Sequence, residues 1–417
     1  MSLSFVRVWL LFCSLFLPCV ASAADWPQIL GPNRNGVAAD SEKLADSWPS
    51  AGPTVVWERQ IGSGYSGVAV QGPRVYLNHR TGETNSLEAI SALTGETLWK
   101  EGMPTTFAPS VGGGDGPLCV PTIAGELVVT YSPQGLLVVR NASTGQLVWK
   151  RSTHQDFGAQ EGYFGAGNTP LVAGNVVVVN VGGTRMSAGI VGFDLRTGAT
   201  LWKQVNDQAS YSAPVLIREG DTEVAIVITR LKCVALNPAT GAIAWEIPFG
   251  SRGPTVNAAL PVQVKGRLFL TASYGIGGVL LDLKPKAAEV LWADTETLAS
   301  QYATPIESDG LLFGFHGRDD IPPSELRCID PFAPHFKQRV LWSVPDMSYG
   351  TMIKADNKLI IARTDGTVML ADCSREKFSP RAQFKASNGV IRALPALADG
   401  GLYIRDEQTL KRYAVGK

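Results

Sequence analysis

The chain has 417 residues, 45% apolar and 18% charged, with 37 Lys plus Arg balancing 37 Asp plus Glu. That length can bury one large core or several small ones. A neutral chain without Lys/Arg blocks lacks the electrostatic footprint of a nucleic-acid binder, while 44 Gly and 26 Pro favour tight turns between short strands.

Residues 1–23 read as a secretory signal peptide. MSLSFVR carries one positive charge, VWLLFCSLFLPCV is an apolar run of h-region length, and ASA at 21–23 places cleavage after Ala23. The run is short for a membrane span, so none is expected after cleavage, and the mature chain is expected in the periplasm or secreted. Cys13 follows Phe12 and Cys19 follows Pro18, a poor match to a lipoprotein signal. Residues 24–53 form an N-terminal arm ahead of the repeats. Cys119, Cys233, Cys328 and Cys373 show no CxxC spacing and read as buried thiols, with no metal site expected.

From residue 54 onward the chain repeats itself. Trp57, Trp99, Trp149, Trp202, Trp245, Trp292 and Trp342 recur, and Phe384 takes the same place in RAQFKAS. The steps are 42, 50, 53, 43, 47, 50 and 42 residues, the period of a propeller or solenoid. Each unit opens on a Pro-containing run such as YSAPVLI. An apolar strand such as VVVVNV follows, then a third strand ending at a turn, then the strand carrying the Trp. Four short strands per unit predict propeller blades.

The turns read LTGETLWK, STGQLVWK, RTGATLWK and ATGAIAWE. Gly95, Gly145, Gly198 and Gly241 fall where a hairpin needs φ > 0, and the preceding Thr can bond the turn backbone. The regular Trp spacing predicts packing between blades rather than ligand stacking. Trp57 to Phe384 encloses seven units, and three strands follow. The orphan strand around Trp57 supplies the fourth. The prediction is an all-β, eight-bladed propeller of four-stranded antiparallel blades over 54–417, closed by an N-terminal strand that removes the exposed edge.

LEAISALTGETLWK, LLVVRNASTGQLVWK, IVGFDLRTGATLWK and CVALNPATGAIAWE resemble the PQQ-type β-propeller repeat, vyaLDarTGelLWk, over nearly all of the mature chain. The match is sharp in four units and worn in the rest, where LKPKAAEVLW, DPFAPHFKQRVLW and ADCSREKF lack the Thr-Gly. That superfamily has two branches. Quinoprotein dehydrogenases hold pyrroloquinoline quinone (PQQ) and calcium in the central funnel; BamB-like propellers of outer-membrane protein assembly are not enzymes. WPQILGPNRNG at 26–36 also resembles the opening of a group of exported PQQ-like repeat proteins.

Counting back three from the aligned Pro of each inner strand, which Val68 and Met352 replace in two blades, defines a funnel-mouth column. It holds Tyr65, Leu118, Gly167, Tyr211, Ala258, Tyr302, Tyr349 and Arg392. The four tyrosines and Arg392 are candidate ligand-binding residues, since such rings join an apolar body to a polar tip. His79 and His316 share a second column and are candidates at the same mouth. Arg80, Arg318 and Arg363, with Arg230 and Arg405 nearby, suggest a partly basic rim, with Asp319, Asp320, Asp365 and Asp406 beside them.

GSGYSG at 62–67 matches a dinucleotide fingerprint but precedes a strand hairpin instead of a helix, so it carries no phosphate site. No adjacent Cys–Cys pair exists, and no Trp stands in the funnel column as a quinone floor. No catalytic, cofactor-binding or metal residue is therefore assigned. The sequence predicts a monomeric, exported, non-catalytic binding or scaffold propeller, needing no cofactor and partnered by an envelope protein or peptide. The alternative is a PQQ- and calcium-dependent dehydrogenase of alcohols or sugars; sugar binding without catalysis is a third reading.

Overall fold

The computed structural model describes residues 24–219 and 222–417; residues 1–23, read above as a signal peptide, lie outside the described residues. Eight four-stranded antiparallel sheets form. Blades 1 to 7 span 68–104, 122–152, 171–204, 215–248, 262–294, 306–347 and 350–385. Blade 8 combines Ala396–Ala398, Gly401–Arg405 and Thr409–Ala414 with Thr54–Gln60, which pairs antiparallel with Thr409–Ala414. The first strands of neighbouring blades lie against one another and line the axis. Turns joining strands 1–2 and 3–4 define a lower face. Loops joining strands 2–3 and successive blades define the upper face, the funnel mouth.

The Thr-Gly turns lie on the lower face, and their chemistry is local. Asp194 Oδ1 accepts from the N–H of Arg196 and of Thr197, and Thr197 Oγ1 accepts from Ala199 N–H. Asn141 and Asn237 do the same in their blades. Gly95, Gly145, Gly198 and Gly241 have φ of +75°, +75°, +72° and +72°, a region that a Cβ disfavours.

The tryptophans tie each blade to the next. Trp57, Trp99, Trp149, Trp202, Trp292 and Trp342 donate Nε1–H to the turn carbonyls of Ala92, Ala142, Leu195, Pro238, Pro331 and Ser374, at 2.8–3.1 Å. Trp57, Trp99, Trp149 and Trp202 also cover the turn glycines Gly95, Gly145, Gly198 and Gly241. A Cβ on Gly145 would lie 2.7 Å from Trp99, and one on Gly198 would lie 2.7 Å from Trp149. Each Thr-Gly therefore serves two ends, the left-handed turn and a seat for the preceding blade's indole.

Blade 7 departs from the sequence alignment. The strand register pairs Ala382 with Leu370 where other blades place Trp, so Phe384 stands two residues further along. Phe384 still does the packing. It lies edge-on to Trp48 of the arm at 5.7 Å and against Tyr413 at 5.1 Å. A Cβ on Gly52 (φ +90°) would meet its ring at 2.5 Å. The cause is the closure: blade 8 has no hairpin between its third and fourth strands, so the arm supplies the glycine seat.

The arm crosses the lower face. Trp26 pairs with Val70 of blade 1, Ile123 N–H of blade 2 donates to Pro27 O, Gly36 O accepts from Lys354 of blade 7, and Ala45 donates to Val415 O. Trp26, Leu30 and Leu44 are buried. Between them Arg34 enters the channel. Its Nη1 donates to Thr169 O (3.3 Å) and Pro214 O (2.8 Å), Nη2 to Thr122 Oγ1 (3.3 Å) and Pro170 O, and Nε to Gln28 Oε1 (2.7 Å). An inner strand leaves its axis-facing edge unpaired. Proline removes an N–H there without loss, and the guanidinium satisfies the carbonyls that remain. Burial lowers the Arg34 pKa to about 9, which leaves it charged at neutral pH.

Candidate functional site

The funnel-mouth column closes into a ring of neighbours, but its members do different things. Arg392 Nε donates to Asp319 Oδ2 at 2.8 Å, from blade 8 to the strand 2–3 loop of blade 6. Arg392 Nη1 also reaches Tyr65 Oη at 3.3 Å, and its guanidinium lies 5.6 Å from the Tyr65 ring centre. Tyr65 Oη in turn donates to Glu407 Oε1 at 3.3 Å. Burial works against the Arg392 charge, but Asp319 and Tyr65 hold its pKa above the usual guanidinium value.

Tyr302 and Tyr349 pack against each other, with ring centres 4.7 Å apart. Tyr349 is buried. Its hydroxyl accepts from the N–H of Tyr302 and of Ala303 and shares a 2.8 Å hydrogen bond with Ser300 Oγ. Burial, reinforced by Asp319 and Tyr349, raises the Tyr302 pKa well above its ordinary value. Tyr65, Tyr302, Tyr349, Arg392 and Asp319 thus form one hydrogen-bonded and stacked group on one side of the mouth.

His79 and His316 hold the loops beside that group instead of joining it. His79 Nδ1 accepts from Gly62 N–H at 2.8 Å, which puts the ring proton on Nε2, 3.1 Å from Glu88 Oε2. Burial lowers the His79 pKa. Burial works the other way on Glu88, but His79, Thr97 and Arg59 outweigh it and hold Glu88 down at about 2. His316 Nδ1 accepts from Ala299 N–H at 3.1 Å. In both blades the column holds an interblade loop. Arg80, Arg318 and Arg363 pair locally with Asp115, Asp320 and Asp365. Arg405 is not on the rim: it is buried and donates to the carbonyls of Ser66, Asn78 and Gly62.

Tyr211 sits across the mouth, in the wall of an upper-face cleft of about 370 Å³ between blades 3 and 4. Its hydroxyl accepts from Phe164 N–H at 3.1 Å, and its ring packs on Phe164. Asn180, His154, Tyr163, Arg230 and Arg252 also line the cleft. Sequence reasoning missed His154, Asn180 and Arg252, because single residues far apart in the chain meet only through blade packing. It also gave no role to Arg34, whose only signal was a lone Arg inside GPNRNG.

Residues 82–331 match the family model described as outer membrane protein assembly factor BamB. The chain belongs to that family. No curated protein matches it in sequence. Among solved structures, BamB from Moraxella catarrhalis superposes with a TM-score of 0.61 at 15% identity, covering 86% of this chain and 97% of that one. Quinohemoprotein alcohol dehydrogenase from Comamonas testosteroni gives 0.64 at 15%, covering 94% and 81%. A europium-containing methanol dehydrogenase gives 0.66 at 13%, covering 91% and 89%. At these identities the superpositions establish a shared propeller fold and nothing finer. Among the described residues, no helix is long and apolar enough to cross a membrane.

Proposed function

We propose that this chain is an exported, non-catalytic propeller of the cell envelope that works by binding a protein or peptide. Membership in a family described as an outer membrane protein assembly factor supports this reading. The observation that carries it is the Arg392–Asp319 ion pair. A quinone of three carboxylates needs cationic partners, a free ring face to stack on, and oxygen ligands for a metal beside its reactive carbonyl. At this mouth the cation of the column is taken by Asp319, Tyr302 and Tyr349 cover each other, and Tyr211 packs on Phe164. No cluster of three or more His, Cys, Asp or Glu able to hold a metal occurs among the described residues. These residues do not fit PQQ with calcium. Likeness to the dehydrogenases carries the fold alone.

The test has two arms. Purified protein given PQQ and calcium is assayed for dye-linked oxidation of primary alcohols and aldoses, with turnover expected at the level of a protein-free blank. Turnover well above that blank, lost on chelation or in Arg392→Ala, would move the chain to the dehydrogenase reading. Chemical cross-linking in the envelope fraction, followed by identification of the captured protein, checks the binding arm. Its expected outcome is a specific partner lost when upper-face loop residues are substituted.

A further inference from the structure

The cleft beside Tyr211 is lined by two arginines without a carboxylate partner among the described residues. Arg80, Arg318, Arg363 and Arg392 each pair with an aspartate. Arg230 and Arg252 have no carboxylate partner among the described residues. Arg230 donates through Nη2 to Gly253 O, which ties its loop to the loop bearing Arg252. Two guanidiniums facing one concavity attract an anion, and their forked N–H groups suit a carboxylate.

The wall beneath selects further. Asn180 is fully buried, and its amide orientation is fixed because Nδ2 donates to Ile228 O at 2.8 Å. Its Oδ1 then has no protein donor, and neither does His154 Nδ1 have a protein partner. A buried acceptor left unpaired costs free energy, so this site favours a ligand that brings O–H or N–H groups. Sulfate and other pure acceptors bring none. Burial holds His154 neutral, at about 4, so it adds no positive charge near pH 7. The remaining polar wall is neutral amide and hydroxyl, including Gln208 and Ser210, and Tyr163 offers an exposed ring. The carboxylate on the cleft, Glu161, is exposed, so no buried anion waits for the ammonium of an amino acid. The volume lies in the range of small-ligand sites, roughly 300–1,000 Å³.

We infer that this cleft binds a sugar acid of the hexuronate class, its carboxylate between Arg230 and Arg252, its hydroxyls on Asn180 Oδ1 and its ring face toward Tyr163. The inference is independent of a protein partner, and its readout is direct binding.

Isothermal titration of the mature protein with D-galacturonate and D-glucuronate tests it. Galactose and glucose serve as neutral controls, with sodium sulfate and the dipeptide Gly-Glu as anionic ones. Binding of a uronate is expected with Kd at or below about 1 mM, at least tenfold tighter than either neutral sugar. Arg252→Gln, at an exposed position, is expected to weaken it at least tenfold. Tyr163→Ala is a second exposed variant expected to weaken the uronate while leaving the melting temperature in place. No uronate binding, equal binding of the neutral sugar, tighter binding of sulfate or Gly-Glu, or an unchanged Arg252→Gln would each overturn the assignment.

Discussion

The indole of Trp149, on the outer strand of blade 2, rests on Gly198 in the turn of blade 3. Its Nε1 donates to Leu195 O at 2.8 Å, and a Cβ on Gly198 would lie 2.7 Å from the ring. The same contact recurs at Gly95, Gly145 and Gly241, under Trp57, Trp99 and Trp202. Gly198 and Gly174 share blade 3 and both have positive φ, +72° and +57°, but a Cβ on Gly174 meets nothing within 4 Å. Gly174→Ala is expected to cost about 1–2 kcal/mol from backbone strain alone. Gly198→Ala adds the clash with Trp149 and is expected to cost at least ~1 kcal/mol more. Equal losses in urea unfolding would show that the seat contributes nothing beyond the turn.

Arg34 is expected to matter more than any surface arginine. All of its N–H groups are used inside the channel, on three backbone carbonyls, Thr122 Oγ1 and Gln28. Arg34→Ala leaves those carbonyls unpaired beside a void, with an expected cost of about 3–5 kcal/mol. Arg34→Lys is expected to recover only part of this, because a single ammonium has three donors. A melting temperature unchanged in Arg34→Ala would refute the channel role.

Removing residues 24–60 strips the closing strand together with Trp57, Trp26 and Arg34. The lower channel opens, and Thr409–Ala414 becomes an unprotected edge. The expected product aggregates or melts far below the intact chain. A soluble truncation with an unchanged melting temperature would mean that the ring closes by another route.

His154 makes stability fall with acid. It lies edge-on to the buried Tyr131 at 6.3 Å, and burial lowers its pKa from 6.5 to about 4. Between those values the unfolded chain binds the proton and the folded chain does not. The contribution is therefore fully present above pH 6.5 and is lost as pH falls toward 4. The loss is at most ~3 kcal/mol, reduced by the partial exposure of the ring. His154→Gln is expected to flatten the fall in melting temperature between pH 6.5 and 4.5. Parallel profiles for the two proteins would show that His154 does not titrate in this way.

The sequence alone determined the ring. Turn glycines and tryptophans are local signals with a period, and a repeat unit whose faces must be buried has few ways to stack. The orphan Trp57 revealed the closure because one strand had no blade of its own. Tertiary structure alone decided three matters. It placed Phe384 two residues off the Trp register, since Gly52 and Trp48 of the arm take the place of a missing hairpin. It sent Arg34 into the channel, where carbonyls from two inner strands and the Thr122 hydroxyl of a third converge on one guanidinium. It also sorted the funnel candidates: His79 and His316 hold loops, Arg392 is bound by Asp319, and Tyr211 faces a cleft shared with Asn180 and Arg252. The physical reason is common to all three. A period fixes which residues share a column, whereas partner and exposure depend on groups that a closed ring brings together from distant points in the chain.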